Sequence, residues 1–476
     1  MLFNSFDFGL FLVVVYSLYW LIGTKRKKAQ NGLILVASYF FYGLWDWRFL
    51  FLLLASTLID YIGAQAIAKT SSKSWRKFYL WHNVFWNIGV LILFKYYDFF
   101  LHSFYQLWGG EYQQEGFDLI NLVIPVGLSF YTFQTLSYTI DVYRGRIKPV
   151  TNLLDFMCFV SFFPQLVAGP IERASKLMPQ ISEQRKFEIA QQSDGLRRIL
   201  WGLFVKVVIA DSLGLAVDKI FADPGQFGGI TLAYGAFLFA FQLYCDFSGY
   251  TQIAIGTAKL FGINLSPNFN HPYLAVSMTE FWRRWHMSLT RWFHDYVFKP
   301  LVRILGGSKA VRRGSSLMIT MLLIGLWHGP RWTYVVFGLL HGIVLLAEAI
   351  KIKGDTIYSH LKKAPYVSYI YIWIILIISS IIFRSADITI ALNYMERMFT
   401  LEPEPDGVYS LMVSLDRLKL FALFFVLEVL TRTKPHPMYK LQSLLPRIAR
   451  WGVYYLFVYW ILTYYITEEQ FIYFQF

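Results

Sequence analysis

Three histidines in apolar surroundings are the residues of this sequence best suited to chemistry: His286, His328 and His341. His328 follows an apolar run that begins at Leu317, and the Gly-Pro pair at 329–330 is expected to interrupt a helix directly after it. An imidazole, with an ordinary pKa of about 6.5, takes a proton from a hydroxyl and returns it near neutral pH. We therefore expect general acid-base chemistry by a histidine in a cavity. The alternative for each of the three is a neutral ring that donates to a backbone carbonyl.

Other kinds of site fit the sequence less well. On one continuous helix, His328 and His341 would lie on different faces, ~20 Å apart along the axis, and no His/Glu pair at a spacing of three or four accompanies them. This spacing argues against a metal site. No Gly-x-Ser-x-Gly, Walker-type or dinucleotide-binding motif occurs. The motif YCDFSGY (244–250) contains Asp246 and Ser248. We interpret it as a polar hinge between membrane spans, with a role in the site as the alternative.

The composition is that of an integral membrane protein. Of 476 residues, 56% are hydrophobic and 16% are charged, against roughly 45–50% and about 25% in soluble proteins. Apolar stretches of around 20 residues recur along the whole length, so we expect one all-α membrane domain over residues 1–476. The first of them, 2–22, is expected to be a retained helix, because its basic cluster follows the apolar run. The net charge of +14 resides in short loops, which indicates a lipid bilayer as partner rather than nucleic acid.

The charge of the loops predicts how the chain crosses the membrane, because short cytoplasmic loops are rich in Lys and Arg. Three loops are predicted to be external, namely 102–118, 218–229 and 385–409, and both termini are then external as well. About eleven spans result. Seven basic loops are predicted to face the cytoplasm: 24–28, 69–77, 144–148, 173–198, 303–313, 351–363 and 432–450.

Two segments depart from the pattern of simple spans. Segment 153–170 is interrupted by Pro164, Gly169 and Pro170 and is flanked by basic loops, so it is predicted to enter and leave the membrane at the cytoplasmic face. Irregular backbone at that depth is tolerated only where it is buried in protein or lines a wet cavity. Segment 279–298 repeats large apolar residues at helical spacing and predicts an interfacial helix. His286 interrupts this pattern, because it lies inside the apolar stripe.

Three motifs carry a family resemblance. The block YCDFSGYTQIAIGTAKLFGINLSPNFNHPYLAVSMTEFWRRWHMSLTRWFHDYVF (244–298) is followed by GLWHGPRWTYVVFGLLHG (325–342), and FFPQLVAGPIERASKLMPQI (162–181) belongs to the same pattern. In these motifs the chain resembles the membrane-bound O-acyltransferases, and in particular their bacterial branch that modifies alginate and teichoic acid. The resemblance covers most of the chain and is densest over 153–350.

The resemblance implies an enzyme in which about eleven membrane helices, with re-entrant and interfacial segments, surround a central funnel or tunnel. His328 of the WHG motif is then the essential catalytic residue, and His286 of RWHMSL is the second polar residue of the site. His341 belongs to the pattern without a catalytic role. The family implies no permanently bound cofactor and no metal. Substrate contacts are expected from five further residues: Arg283, Trp285, Trp327, Asp246 and Ser248.

The same resemblance implies a donor and an acceptor. The donor is a cytoplasmic acyl thioester, acetyl-CoA or a phosphopantetheine-linked group. The acceptor is a hydroxyl on the outer side of a bacterial inner membrane, on an exported polysaccharide or on a partner acyltransferase that modifies it. Basic cytoplasmic loops suit a phosphate-bearing donor, although the positive-inside rule explains them equally well.

Three alternatives stay open at the level of sequence. They are D-alanyl transfer from a carrier protein to a cell-wall polymer, acylation of a lipid or sterol, and a proton-coupled transporter or flippase in which the histidines relay protons. The sequence shows no evident internal repeat, which weakens the transporter hypothesis, because many transporter folds are built from repeats.

Overall fold

A computed structural model gives the fold. It describes residues 1–109, 125–167, 169–352, 355–400, 415–439, 441–465 and 471–472. In this part of the chain the regular structure is helical, apart from one antiparallel hairpin of β1 (Lys351–Ile352) and β2 (Asp355–Thr356). The predicted all-α class is confirmed. The acidic residues of the predicted external loop 102–118 and of the C-terminal tail lie outside the described residues, as do Glu402, Glu404 and Asp406 of the predicted external loop 385–409.

The chain forms two compact units. Unit 1 comprises Phe3–Gly195 and Thr257–Ser266, together with Met1. A π-helical turn, Ile92–Tyr96, joins its fourth and fifth helices. The helices of unit 1 are α1 (Phe6–Ile22), α2 (Lys27–Gly43), α3 (Arg48–Lys69), α4 (Lys73–Leu91), α5 (Tyr97–Leu107), α6 (Leu128–Tyr143), α7 (Leu153–Ser161), α8 (Phe163–Leu166) and α9 (Ala174–Ser182), followed by the start of α10 (Ile189–Leu203).

Unit 2 comprises Leu196–Gly256 and Pro267–Phe476, together with Leu2. It contains π-helical segments at Phe204–Ala210 and His294–Phe298, and short 3-10 turns at Pro224–Gln226 and Pro272–Leu274. Its helices are α11 (Asp211–Ala222), most of α12 (Gly229–Leu260), α13 (Met278–Arg284), α14 (Met287–Phe293), α15 (Lys299–Ile304), α16 (Lys309–His328), α17 (Trp332–Glu348), α18 (Ile357–Lys363), α19 (Pro365–Arg384), α20 (Ile388–Met398), α21 (Leu415–Leu430), α22 (Leu441–Leu444) and α23 (Arg447–Tyr464).

Several helices have the length and composition of membrane spans. Among the described residues five qualify: Arg48–Lys69, Lys73–Leu107, Ile189–Ala222, Gly229–Leu260 and Pro365–Arg384. The apolar helices α1 and α17 are shorter. These helices agree with a chain that crosses the membrane several times, whereas the total of eleven spans stays a prediction.

A buried polar cluster joins three helices of unit 1. Asp60 of α3 is fully buried and accepts hydrogen bonds from Asn87 Nδ2 (3.0 and 3.1 Å) and from Thr139 Oγ1 (3.1 Å). Asn83 Nδ2 in turn donates to Thr139 Oγ1 at 3.3 Å. In an apolar environment such hydrogen bonds hold helices together at defined points, and here they connect α3, α4 and α6.

The predicted interruption of segment 153–170 is confirmed. Helix α7 ends at Ser161, Phe162 breaks the helical geometry, and α8 begins again at Phe163. At about 1.5 Å per residue, the nine residues of α7 span only ~14 Å, too little to cross a bilayer. The break is buried inside unit 1, where Ser38 Oγ accepts a hydrogen bond from the Phe163 backbone N–H at 3.1 Å. Entry and exit at one membrane face stay predictions.

The prediction that 279–298 forms one continuous helix is wrong. Helix α13 ends at Arg284 and α14 begins at Met287, because His286 has left-handed backbone geometry with φ 39°. Asn268 stabilises this break: its carbonyl accepts from the Met287 N–H (2.8 Å) and its side-chain Oδ1 accepts from Ser288 Oγ (2.6 Å). His286 itself is fully buried, whereas Arg283, Arg291 and His294 of the same segment are exposed. A location of this segment at a membrane interface stays a prediction.

The predicted break at Gly329–Pro330 is confirmed, and it creates a tightly packed helical hairpin. Helix α16 ends at His328 and α17 begins at Trp332. A Cβ atom added at Gly325 would clash with the Tyr334 carbonyl oxygen, and one at Gly338 would clash with the Met321 carbonyl oxygen. The two backbones therefore approach as closely as glycine alone permits.

Candidate active site

A small apolar cavity in unit 2 contains two of the three histidines. Its volume is about 40 Å³, the space that a few ordered water molecules need. His328 reaches it from the end of α16, and His341 reaches it from the third turn of α17. The remaining lining is mostly aromatic and aliphatic: Ala240, Leu243, Tyr273, Phe281, Trp282, Trp285, Phe337, Leu376, Ser379, Ser380 and Phe383.

His328 is held among aromatic rings. Its exposed fraction is 4%. The ring centroid of Phe383 lies 5.0 Å from that of His328 at an interplanar angle of 79°, and the ring of Trp327 lies 5.1 Å away at 69°. The edge-on geometry of these pairs is the one that aromatic rings prefer. The helix break thus places the imidazole of His328 at a cavity with a mostly apolar lining.

His341 is fixed by two hydrogen bonds. Trp282 Nε1 donates to His341 Nδ1 at 3.3 Å, and His341 Nε2 lies 3.1 Å from Ser379 Oγ. Ser379 Oγ also donates to the carbonyl oxygen of Ile375 at 2.6 Å. Phe337 packs edge-on between the two histidines, with ring centroids 5.7 Å from His328 and 4.5 Å from His341.

His286 lies next to this cavity without belonging to its lining, as far as the described residues define it. Its ring packs edge-on against Phe247 (4.7 Å) and Trp327 (5.6 Å). Because Trp327 also contacts His328, one indole ring touches both predicted catalytic histidines. The structure therefore places the predicted catalytic pair close together, with a tryptophan in contact with each.

The five residues predicted to contact substrate fall into two groups. Trp285 lines the cavity and stacks on Phe281 at 5.4 Å, and Trp327 contacts the histidines as described. The exposed Arg283 instead lies over the Tyr358 ring at 6.0 Å. Asp246 and Ser248 are buried in α12, outside the described lining of the cavity.

The interpretation of YCDFSGY as a hinge is wrong, because α12 continues without interruption through 244–250. Asp246 instead belongs to a buried charge cluster. Lys206 Nζ lies 2.6 Å from Asp246 Oδ1 and 2.6 Å from Asp211 Oδ1, and the exposed fractions of the three side chains are 2 to 5%. Asp246 Oδ2 also accepts from the Ile472 backbone N–H at 2.8 Å. Contacts of this kind are typical of a residue that stabilises the fold.

Ser379 and Phe383 line the cavity without having been predicted to do so. His341 was visible in the motif GLLHG but has no catalytic role in the resemblance, and Ser379 and Phe383 lie in an ordinary apolar span. The signal for Ser379 was weak: a Ser-Ser pair at 379–380 inside a helix of isoleucines and leucines.

A second and larger cavity lies in unit 1. Its volume is about 610 Å³, and both polar and apolar side chains line it. Lys27, Lys148 and the α9 residues Ser175 and Ser182 belong to its lining. Lys27 Nζ lies 3.2 Å from Asp155 Oδ2 and donates to the Ser182 carbonyl at 2.8 Å. Three loops that the charge pattern assigns to the cytoplasm thus contribute to one cavity.

Helical architecture and repeated apolar spans define a class: a multi-pass membrane protein. The profile of the membrane-bound O-acyltransferase family matches residues 146–386. The chain belongs to this family, and it is an O-acyltransferase.

Relatives with assigned names agree with this membership. The chain is 36% identical to "Probable alginate O-acetylase AlgI" of Pseudomonas aeruginosa, over 83% of this chain and 74% of that protein. It is 32% identical to "Peptidoglycan O-acetyltransferase" of Helicobacter pylori, over 84% and 80%. It is also 32% identical to "Teichoic acid D-alanyltransferase" of Streptococcus thermophilus, over 50% and 60%.

Proposed function

We propose that the protein transfers an acetyl group from a cytoplasmic thioester donor to a hydroxyl on the outer side of a bacterial inner membrane, for the O-acetylation of an exported cell-surface polysaccharide. The observation that carries the proposal is His328, a buried imidazole at a helix break that faces a cavity. The relatives named for O-acetylation match over 83% and 84% of the chain, whereas the D-alanyltransferase matches over 50%. This difference favours acetyl as the transferred group.

In the proposed reaction His328 acts as the general base. It takes the proton of the acceptor hydroxyl while that oxygen attacks the carbonyl carbon of the thioester. The carbon–oxygen bond forms, the carbon–sulfur bond breaks, and His328 returns the proton to the leaving thiolate. The reaction therefore needs no metal and no redox partner, and no net proton is taken up or released. General base catalysis of this kind contributes about 10²–10⁴-fold in rate.

We assign the phosphate end of the donor to the larger cavity of unit 1. Lys27 and Lys148 line it, and Asp155 offsets the charge of Lys27. Its serine hydroxyls supply further hydrogen-bond donors, and its volume of about 610 Å³ suits a polar group much larger than acetyl. A donor that carries phosphates, as coenzyme A and phosphopantetheine do, matches this combination of charge and space.

The acceptor hydroxyl belongs either to the polysaccharide or to a partner acyltransferase on the outer side that passes the group on. D-alanyl transfer from a carrier protein is the second candidate, and the teichoic acid relative supports it. The two candidates differ in donor. A carrier-fed enzyme does not turn over free acetyl-CoA efficiently, whereas the proposed acetyltransferase does.

The test is release of free thiol from acetyl-CoA by purified protein in nanodiscs, with an extract of the polysaccharide and its outer-side proteins as acceptor. Wild type should release thiol and acetylate the acceptor, and His328→Ala should reduce both by at least about 10²-fold. His294→Ala is the matched control, since this histidine is half-exposed and lies outside the described lining of the cavity. Undiminished transfer by folded His328→Ala protein would overturn the catalytic assignment. Substrate movement without an acylated product would favour a transporter.

A further inference from the structure

The tautomer of His341 follows from its neighbours. The indole Nε1–H of Trp282 is a donor and has no acceptor capacity. Its contact with His341 Nδ1 at 3.3 Å therefore requires an unprotonated Nδ1. In a neutral imidazole the proton then resides on Nε2, which lies 3.1 Å from Ser379 Oγ.

The hydrogen bonds form a chain with one direction. Trp282 donates to His341, His341 donates through Nε2–H to Ser379, and Ser379 donates to the Ile375 carbonyl at 2.6 Å. Hydrogen bonds in such a chain strengthen one another. A second proton on His341 would oppose the Trp282 N–H directly. The ring is thus kept in one neutral form, with both nitrogen atoms occupied.

The same helix holds α13 at a second point. Glu348, two turns after His341 on α17, accepts hydrogen bonds from the backbone N–H groups of Met278 (2.7 Å) and Thr279 (2.8 Å). Its exposed fraction is 1%, and Tyr371 OH donates to the same carboxylate at 3.2 Å. Helix α17 therefore fixes the start of α13 through Glu348 and its middle through the pair of His341 and Trp282.

This arrangement decides the shape of the cavity wall beside His328. Phe281, Trp282 and Trp285 of α13 and its end all line the cavity. Phe337, also on α17, contacts both histidines. A ring whose two nitrogen atoms already serve Trp282 and Ser379 gains a proton from substrate only by breaking one of those contacts.

We propose that His341 is a positioning residue: in its Nε2–H form it orients Trp282, and with it the aromatic wall next to His328, and it takes no part in proton transfer. The consequence for catalysis rests on the function proposed above. The tautomer and its partners do not, because they follow from hydrogen-bond geometry.

Substitution by asparagine separates positioning from proton transfer. The side-chain Oδ1 of His341→Asn keeps an acceptor near the position of Nδ1, but an amide cannot shuttle a proton. We expect His341→Asn to keep kcat/KM within about fivefold of wild type, with an unchanged pH profile. His341→Ala and Trp282→Phe should each lower kcat/KM by about tenfold or more, and the double variant His341→Ala/Trp282→Phe should be no worse than either. Loss of activity in folded His341→Asn protein comparable to that of His328→Ala would overturn the proposal.

Nitrogen NMR of protein labelled with ¹⁵N-histidine tests the inference independently of any activity. The difference between the spectra of wild type and His341→Asn isolates the signals of His341. We expect a neutral ring with the proton on Nε2, and in Trp282→Phe a shift of the Nδ1 signal. A ring protonated on Nδ1, or on both nitrogen atoms, near neutral pH would overturn the proposal even if no acetyl donor were turned over. A wild type that shows the expected ring but transfers no acyl group would count against the proposed function alone.

Discussion

His328 and His341 are thirteen positions apart in the chain and line the same small cavity. The break at 329–331 folds α17 back along α16, and the clash-free contact at Gly325 lets the two backbones touch. The two imidazoles have different surroundings in this cavity. One lies at the helix break and faces the cavity, and the other is locked by Trp282 and Ser379.

Replacement of Gly325 tests this hairpin. We expect Gly325→Ala to lower the free energy of unfolding by about 1–3 kcal/mol, because the added methyl group overpacks the contact with the Tyr334 carbonyl, and to reduce acyl transfer as the cavity is distorted. Gly314→Ala on the same helix is the control, since its Cβ would meet Leu346 at an ordinary 3.5 Å. The measurement is thermal unfolding in detergent together with transfer activity. Equal behaviour of the two variants would contradict the role of close packing.

The left-handed backbone at His286 predicts an inverted order of two substitutions. A protein with Ala at a given position is normally more stable than the same protein with Gly there. At φ 39° we expect the opposite order, with the Gly variant higher in free energy of unfolding by about 1 kcal/mol, because glycine adopts this geometry without strain. His286→Gly should therefore unfold at a higher temperature than His286→Ala. Both should lose most acyl transfer. Full activity in His286→Gly would show that the imidazole has no part in the site.

The buried cluster around Lys206 predicts an asymmetric response to substitution. Lys206→Met leaves two buried carboxylates without their shared cation and should cost about 3–5 kcal/mol of stability. Asp246→Asn leaves Lys206 paired with Asp211 and should cost clearly less. If Asp246 is structural, Asp246→Asn also leaves the KM for the donor unchanged. A raised KM in a stable Asp246→Asn protein would instead support substrate contact by this residue.

The larger cavity of unit 1 predicts a charge effect on donor binding. Lys148→Ala should raise the KM for acetyl-CoA several-fold and leave kcat nearly unchanged, and the effect should shrink as salt is added, because screening weakens the attraction between exposed charges. Lys186→Ala is the matched control, because Lys186 is an exposed lysine of the predicted cytoplasmic loop 173–198 and does not itself belong to the described lining. The measurement is the KM for acetyl-CoA of both variants, from steady-state kinetics at two ionic strengths. Identical KM values for the two variants would place the phosphates elsewhere.

Much of the architecture was predictable from local sequence. Apolar composition predicts an all-α membrane protein, and the Gly-Pro pair at 329–330 predicts the end of α16, since proline removes a backbone donor wherever it occurs. The break in 153–170 follows in the same way from Pro164. The motifs around His286 and His328 predicted the family. These inferences depend on properties that each residue carries with it.

Tertiary structure decided what periodicity could not. The stretch 279–298 has the apolar spacing of one helix, yet it breaks at His286, because Asn268 from a preceding loop supplies hydrogen bonds that stabilise the left-handed turn. Likewise, a polar pair in YCDFSGY predicts a hinge, but Lys206 from another segment neutralises Asp246 inside an unbroken helix. In both cases a residue from another segment offsets an unfavourable local feature, namely the left-handed backbone of His286 or the buried charge of Asp246. The local sequence pattern does not show which residue will make that contact.

The sequence by itself determined that the chain is a helical membrane protein of an acyltransferase family, with three histidines in apolar surroundings. Only the tertiary structure decided that His341 shares a cavity with His328 and which of its nitrogen atoms carries the proton. The physical reason is that a tautomer is set by the donors and acceptors around a ring. Those of His341 come from Trp282 on α13 and Ser379 on α19, two helices that meet only when the chain is folded.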